Sequence, residues 1–294
     1  MKAEGPLVSV GMPVYNGERH LRAAVESILG QTFQDLELII SDNASTDGTE
    51  GICREFVSRD HRVRYYRNPK NLGAPENVNA VFRRATGRYF KWAAANDECD
   101  PRFIEACVEV LDKRQDAVLS YPRTRLIFGD SGATEDYEDR LNLIQERPCE
   151  RFRALLDRVR LCNALYGLIR ASALRTTGLV GKYINGDRVL LGELTLHGKF
   201  VEVPHFMFFR RMDPASATTM RTKAQILRTL DPESSSGILF QQWKLYRGYL
   251  AAVFRAPLPA RERACVVRFL RWNAWQDRGY FAQDFREAGQ AWTS

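Results

Sequence analysis

Residues 7–42 read LVSVGMPVYNGERHLRAAVESILGQTFQDLELIISD, and no other stretch restricts the fold so strongly. Leu7 to Val14 is a valine-rich, strand-like run that ends in a Pro13-Val14-Tyr15-Asn16 turn. Apolar residues at 21, 24, 25, 28 and 29 have helical spacing. Leu36 to Ser41 is a second buried-type strand, closed by Asp42-Asn43. A βαβ crossover places that carboxylate at the carboxyl edge of a parallel sheet, where open α/β sheets bind ligands. The pattern predicts a nucleotide-dependent enzyme whose first half is the nucleotide pocket.

The alternation continues. Strands are expected at 63–66, 89–94 and 118–121, with helices at 49–57, 75–87 and from Pro101 on. This predicts a doubly wound, mostly parallel sheet flanked by helices. Gly129 to Pro148 is polar and acidic, and reads as a surface loop or lid. A second structured region follows: helix 151–160, strand 165–170, helix 188–197, and a strand pair over 200–211 broken at Pro204. The expected organisation is a domain over 1–215, with halves 1–122 and 123–215, and a helical C-terminal appendage over 216–294.

No run of apolar residues is long enough to span a bilayer. The N-terminus lacks a signal-peptide plan. Six cysteines without a C-x-x-C pair are read as reduced, packed thiols in a cytoplasmic protein. From Arg221 on, 12 Lys/Arg stand against 6 Asp/Glu, so +6 of the net +7 lies there, with four of the five tryptophans. No nucleic-acid motif accompanies this charge, so nucleic acid is not an expected partner. The reading is a packed helical region with arginines facing water, touching a membrane surface weakly at most.

Several segments together resemble the family 2 inverting glycosyltransferases with the GT-A fold. They are P-V-Y-N (13–16), L-x6-I-L-x-Q-T (21–32), D-N-A-S-T-D-G-T (42–49), N-L-G-A-P-E-N-V-N (71–79), A-T-G-R-Y-F (85–90) with the following N-D-E, Y-G-L-I-R (166–170), N-G-D-R-V-L-L (185–191) and F-F-R-R-M-D-P-A-S (208–216). The resemblance implies a nucleotide-sugar donor, UDP- or dTDP-linked, and a glycan, lipid or protein acceptor. Tyr15, beside Pro13, would offer a ring face to the base. Asp42 would accept the imide N–H of uracil or thymine. Asn43 would reach the ribose, and the loop with Asn71, Gly73 and Asn79 would close over both. Val78 stands where the family usually has a basic residue. Arg210 and Arg211 could pair with the diphosphate.

The family's acidic metal motif is altered here. Ala94-Ala95-Asn96-Asp97-Glu98 puts Asn96 at the usual metal-binding Asp. Mn2+ or Mg2+ would then be held by Asn96 and Asp97, with Asp213 at the position of a frequent His ligand. An inverting displacement needs a proton acceptor near the acceptor hydroxyl. Asp187, opening a helix whose dipole favours negative charge there, matches the family's base, with Glu193 as the fallback. His197 and His205 are read as structural. Two other readings stay open: a non-catalytic sugar-nucleotide or glycan binder, suggested by Ala94-Ala95-Asn96, and a nucleotidyltransferase, whose usual Gly-rich basic loop is missing after the first strand.

Overall fold

The computed structural model describes residues 5–129, 132–212, 223–233 and 240–293. In chain order the elements are β1 (Val8–Val14), α1 (Leu21–Leu29), β2 (Leu36–Asp42), α2 (Thr49–Arg59), β3 (Val63–Arg67), α3 (Ala74–Arg83), β4 (Tyr89–Trp92), β5 (Glu98–Cys99), α4 (Phe103–Lys113), β6 (Ala117–Phe128) and β7 (Ala133–Tyr137). Then come α5 (Pro148–Arg158), β8 (Leu168–Arg170), α6 (Ala171–Leu174), α7 (Gly186–His197), β9 (Lys199–Met212), α8 (Lys223–Leu230), α9 (Gln241–Arg255), α10 (Ala260–Gln276) and α11 (Arg278–Thr293). The sheet runs β3-β2-β1-β4-β8-β6-β9-β5, with β7 hung on β6. The four strands of the first half are all parallel. Beyond β4, antiparallel pairs enter at β8, β7 and β5.

Side-chain alternation explains the layering. Leu36, Leu38 and Ile40 of β2 join a core with α1, α2 and α4, while Ile39 faces the opposite core with α3, α5 and α7. On β1 the second face is nearly bare. A Cβ on Gly11 would stand 2.6 Å from Val81 Cγ2 and 2.7 Å from the Phe90 ring, so α3 packs directly on the strand.

Three expectations change. The segment over 200–211 is one 14-residue strand, not a pair. Its partners jump from Pro122↔Val203 to Arg123↔Phe206, so Pro204 and His205 fall in a bulge that needs no ladder N–H from proline. The 129–148 segment is not merely a surface loop: it holds β7 and anchors Leu141 and Leu143 in the core. The thiols are not all reduced, because Cys149 of α5 is joined to Cys265 of α10. A pair 116 residues apart leaves no spacing signature. Tyr249, Val253, Val266 and Phe269 sit in the same core cluster as Phe152 and Leu190, so the C-terminal helices complete that core. Asp213 and residues 214–216 lie outside the described residues.

Candidate active site at the carboxyl edge of the sheet

The turns after β1 and β2 are laced together. Asn16 N–H donates to Ser45 Oγ, its Oδ1 accepts from Thr46 N–H, and Gly17 N–H donates to Thr49 Oγ1. Pro13 lies within β1 opposite Ser41. Tyr15, just beyond, is 50% exposed at the strand end, as a stacking platform requires.

Asp42 differs from expectation. It is fully buried, and both oxygens are engaged: Oδ1 accepts from Ser45 N–H (2.8 Å), Oδ2 from the Tyr65 hydroxyl (2.8 Å), with Arg67 Nε at 3.5 Å. A carboxylate has further lone pairs. Both oxygens are already bonded and the side chain is shut off from solvent.

Asn43, also buried, donates to Asn71 Oδ1 (2.7 Å) and accepts from Leu72 N–H and the Asn68 amide. Asn68 also donates to Asn77, whose own amide donates to Ser41 O (2.8 Å). Asn68 and Asn77, which the sequence reading did not single out, thus fasten the loop to the strand ends. Asn71 Oδ1 takes a second bond from Gly73 N–H. Gly73 has φ +84°, and a Cβ there would meet Leu230 O at 2.3 Å, so the end of α8 lies on this loop. Asn79 does not join the group. Its amide clamps Val180 in both directions, donating to O (2.9 Å) and accepting from N–H (3.0 Å). Two residues along a helix turn about 200°, so Asn77 and Asn79 face opposite ways.

At the end of β4, Asp97 is buried and accepts the Arg211 backbone N–H at 2.8 Å. Burial pushes its carboxyl up to about 6, against the opposing pull of Arg210, Lys91 and Arg211. Glu98 holds the Arg211 guanidinium at 2.5 Å, and Asn96 is half-buried beside them. Lys91 is fully buried, donating to Tyr166 O (2.7 Å) and Trp92 O (3.1 Å) above the Phe103 ring.

Asp187 opens α7 after Asn185, which takes a left-handed φ of 64°. Its Oδ1 accepts Arg188 N–H at 2.8 Å. Burial and then Asp187 push the Cys162 thiol well above its ordinary range. The Tyr166 phenol is raised to about 12, mainly by burial, with both Asp97 and Asp187 adding to the shift and Arg210 opposing it. Tyr166 follows Asn163 in a short 3-10 turn and its ring stacks on Phe208 at 5.3 Å. Arg210 joins them, bonded to Asn163 with its guanidinium 5.9 Å from the Tyr166 ring.

Glu193 does not face this site. It is buried, accepts Gly178 N–H (3.0 Å) and pairs with Arg255 of α9 (2.7 Å). Asp139 is the titratable group the sequence hid, since its segment reads as a loop. It is buried, accepts from Thr124 Oγ1 (3.0 Å), and is pushed up to about 7 by that burial.

The model of glycosyl transferase family 2 matches residues 9–165. The chain belongs to that family. It is similar to the putative glycosyltransferase EpsE of Bacillus subtilis, 38% identical over 112 residues, which are 38% of this chain and 40% of that protein. It is also similar to the chondroitin synthase of Escherichia coli, 34% identical over 122 residues, covering 42% and 18%. The match thus spans less than half the length of these relatives. Among solved structures, Staphylococcus aureus TarS with UDP-GlcNAc superposes at TM-score 0.66 over 97% of this chain and 81% of that one, at 13% identity. The mannosyltransferase PcManGT of Pyrobaculum calidifontis, with GDP-Man and Mn2+, superposes at 0.53 over 97% and 86%, at 14% identity. These likenesses establish the GT-A type fold.

Against that family, the metal motif of this chain fits a dication poorly. The described donors are the neutral Asn96 amide and the Asp97 carboxyl, which is buried, ringed by Lys91, Arg210 and Arg211, and already bonded. Glu98 is spent on Arg211. Among the described residues no group of three His, Cys, Asp or Glu could hold a metal ion.

Proposed function

We propose that this family 2 glycosyltransferase moves a sugar from a UDP- or dTDP-linked donor to an acceptor hydroxyl with inversion, Asp187 acting as general base. The observation that carries the reading is that Asp187 opens α7, its carboxylate accepting Arg188 N–H at 2.8 Å at a helix start where the dipole favours negative charge. The reading takes Asp187 as the carboxylate on the acceptor side of the sheet edge that ends in Tyr15 and Asn43. The acceptor oxygen forms its bond to the anomeric carbon as the bond to the diphosphate oxygen breaks. The acceptor proton passes to Asp187, and the nucleoside diphosphate leaves. Tyr15 carries the base, with Tyr65 and Arg67 shifting to open Asp42. The donor TarS binds in its complex, UDP-GlcNAc, supports a uridine nucleotide.

Arg210 and Arg211 are the positive groups beside the leaving diphosphate, and charge-assisted bonds from guanidinium suit phosphate. The expected Mn2+ or Mg2+ at Asn96, Asp97 and Asp213 has no step here, because the described donor set does not fit it. No described helix is long and apolar enough to cross a membrane. The acceptor, a glycan, lipid or protein, meets the enzyme at a face that contacts membranes at most peripherally.

The test is turnover across a panel of UDP- and dTDP-sugars, in EDTA and in Mn2+, with the product anomer read by NMR. Release of UDP with an inverted linkage, persisting in EDTA, is expected. A retained anomer would exclude the single displacement. Nucleotide binding without turnover of any donor would favour the non-catalytic binder that Asn96 suggests.

A further inference from the structure

Behind the sheet edge, a groove of about 630 Å3 lies between α5 and α10, lined by Arg147, Arg153, Arg261, Arg268, Phe269 and Trp272. Two features set it apart from an ordinary solvated helix face. The first is charge. Four guanidiniums converge, and of these only Arg147 is ion-paired among the described residues, to Glu262 (3.0 Å) and Glu150 (3.5 Å). Glu262 is itself occupied, accepting Cys149 N–H at 3.0 Å at the start of α5. The second is a flat aromatic wall. The rings of Phe269 and Trp272 stack at 6.2 Å with an interplanar angle of 25°, and Arg153 covers the Phe269 ring at 5.2 Å. Trp272 is 57% exposed.

The groove is also fixed in shape. Arg147 and Arg153 flank Cys149, Arg261 and Arg268 flank Cys265, and the Cys149–Cys265 bond pins the two helices together beneath them. Guanidinium forks recognise carboxylate, sulfate and phosphate in two-point geometry. An exposed indole face packs against the C–H face of a pyranose ring, since the ring face is electron-rich. A ligand that offers both is an acidic saccharide. The arginines and the Trp272 indole line one concavity, while Trp275, one turn further along α10, is 65% exposed, and the vesicle arm of the test reads the lipid surface it could meet.

We propose that this groove binds a segment of an acidic glycan, bearing uronate, sulfate or phosphate groups, as a docking site for the acceptor or product chain. The role as acceptor site rests on the glycosyltransferase reading above. α5 packs antiparallel on α7, Arg151 donating to Thr195 O and Arg188 to Leu156 O. Of the groove arginines at α5, Arg153 is therefore nearer than Arg147 to the helix start that carries Asp187.

The test uses the whole chain and four probes: an oligogalacturonate, a sulfated oligosaccharide, a neutral maltooligosaccharide, and vesicles of phosphatidylglycerol with phosphatidylcholine. Binding is measured by calorimetry and sedimentation, and UDP affinity is measured in parallel. The wild type should bind at least one acidic oligosaccharide, more weakly at high salt, and not the neutral one. The double variant Arg261→Gln/Arg268→Gln should lose about tenfold or more of that affinity, as for two charge-assisted contacts. Trp272→Ala should lose several-fold, and both should keep wild-type UDP affinity and Tm. Reducing the Cys149–Cys265 bond should weaken glycan binding without changing UDP affinity. No binding of either acidic oligosaccharide, equal binding by the double variant, or binding of vesicles alone would overturn the proposal. Glycan binding that survives in a protein with no donor turnover would instead sink the enzymatic reading and leave the groove standing.

Discussion

In the half proposed to hold the nucleotide, Tyr15, Asp42, Asn43, Asn68, Asn71 and Asn77 hang from consecutive βα units, and the four asparagines are linked by bonds to one another. In the half proposed to hold the acceptor, Asp97, Asn163, Tyr166, Asp187 and Arg210 come from distant segments, with Arg210 of β9 bonded to Asn163 and the neighbouring Arg211 N–H to Asp97. The first arrangement is modular: each strand delivers its residue at the same edge. The second depends on α7 being held in place by α5 and by the C-terminal helices, through the Glu193–Arg255 pair and the Cys149–Cys265 bond. Nucleotide binding should therefore tolerate damage far from it, and catalysis should not.

The largest effect expected from this contrast is at Asp187. Asp187→Asn keeps shape but removes basicity, so kcat should fall by roughly 10²–10⁴-fold with the donor KM unchanged. Steady-state kinetics decide it. Near wild-type turnover would move the base elsewhere on the acceptor side.

Next in size is the brace. Arg255→Ala leaves the buried Glu193 carboxylate without its cation. A broken buried pair costs about 3–5 kcal/mol, and the partial exposure of Arg255 reduces that to about 2–4 kcal/mol. Urea denaturation should show the loss, and turnover should fall with it. Arg22→Ala, which breaks the exposed pair with Glu55 on the nucleotide side, should leave the midpoint where it was. Equal effects of the two would erase the contrast between modular and braced halves.

Tyr15→Ala should weaken UDP binding by about 1–3 kcal/mol, the range for loss of one base stack, and leave stability unaltered because the ring is exposed. Calorimetry with UDP checks it. A stability loss without an affinity loss would make Tyr15 a packing residue.

The smallest effect concerns pH. Burial raises Asp97 to about 6 and Asp139 to about 7, both above the ordinary carboxyl value. The folded state therefore holds protons that the unfolded chain has released, and stability from these groups falls as pH rises from about 4 to 7. The penalty is absent below the unfolded value and complete above the folded one. Asp139→Asn should flatten the Tm profile between pH 5 and 7 and raise Tm at pH 7 by a few degrees, roughly 2–4 °C per kcal/mol for a chain of this size. An unchanged slope would mean that Asp139 is ionised in the folded protein throughout.

The amino-acid sequence by itself determined the order of strands and helices in the first half, because a βαβ unit is written in local periodicity and turn residues. It also carried the family, the strand-end position of Tyr15 and Asp42, and the helix start at Asp187. The tertiary structure decided what those groups can reach. Asp42 is closed off by Tyr65 from the neighbouring strand, Asn79 holds Val180 from 101 residues away, and Glu193 belongs to Arg255. It also decided that Asp97 stands among three cations and that Cys149 meets Cys265. The reason is common to all of them. A polar side chain's role depends on which partners satisfy it and how far water is excluded, and both are set by segments that periodicity and spacing do not connect.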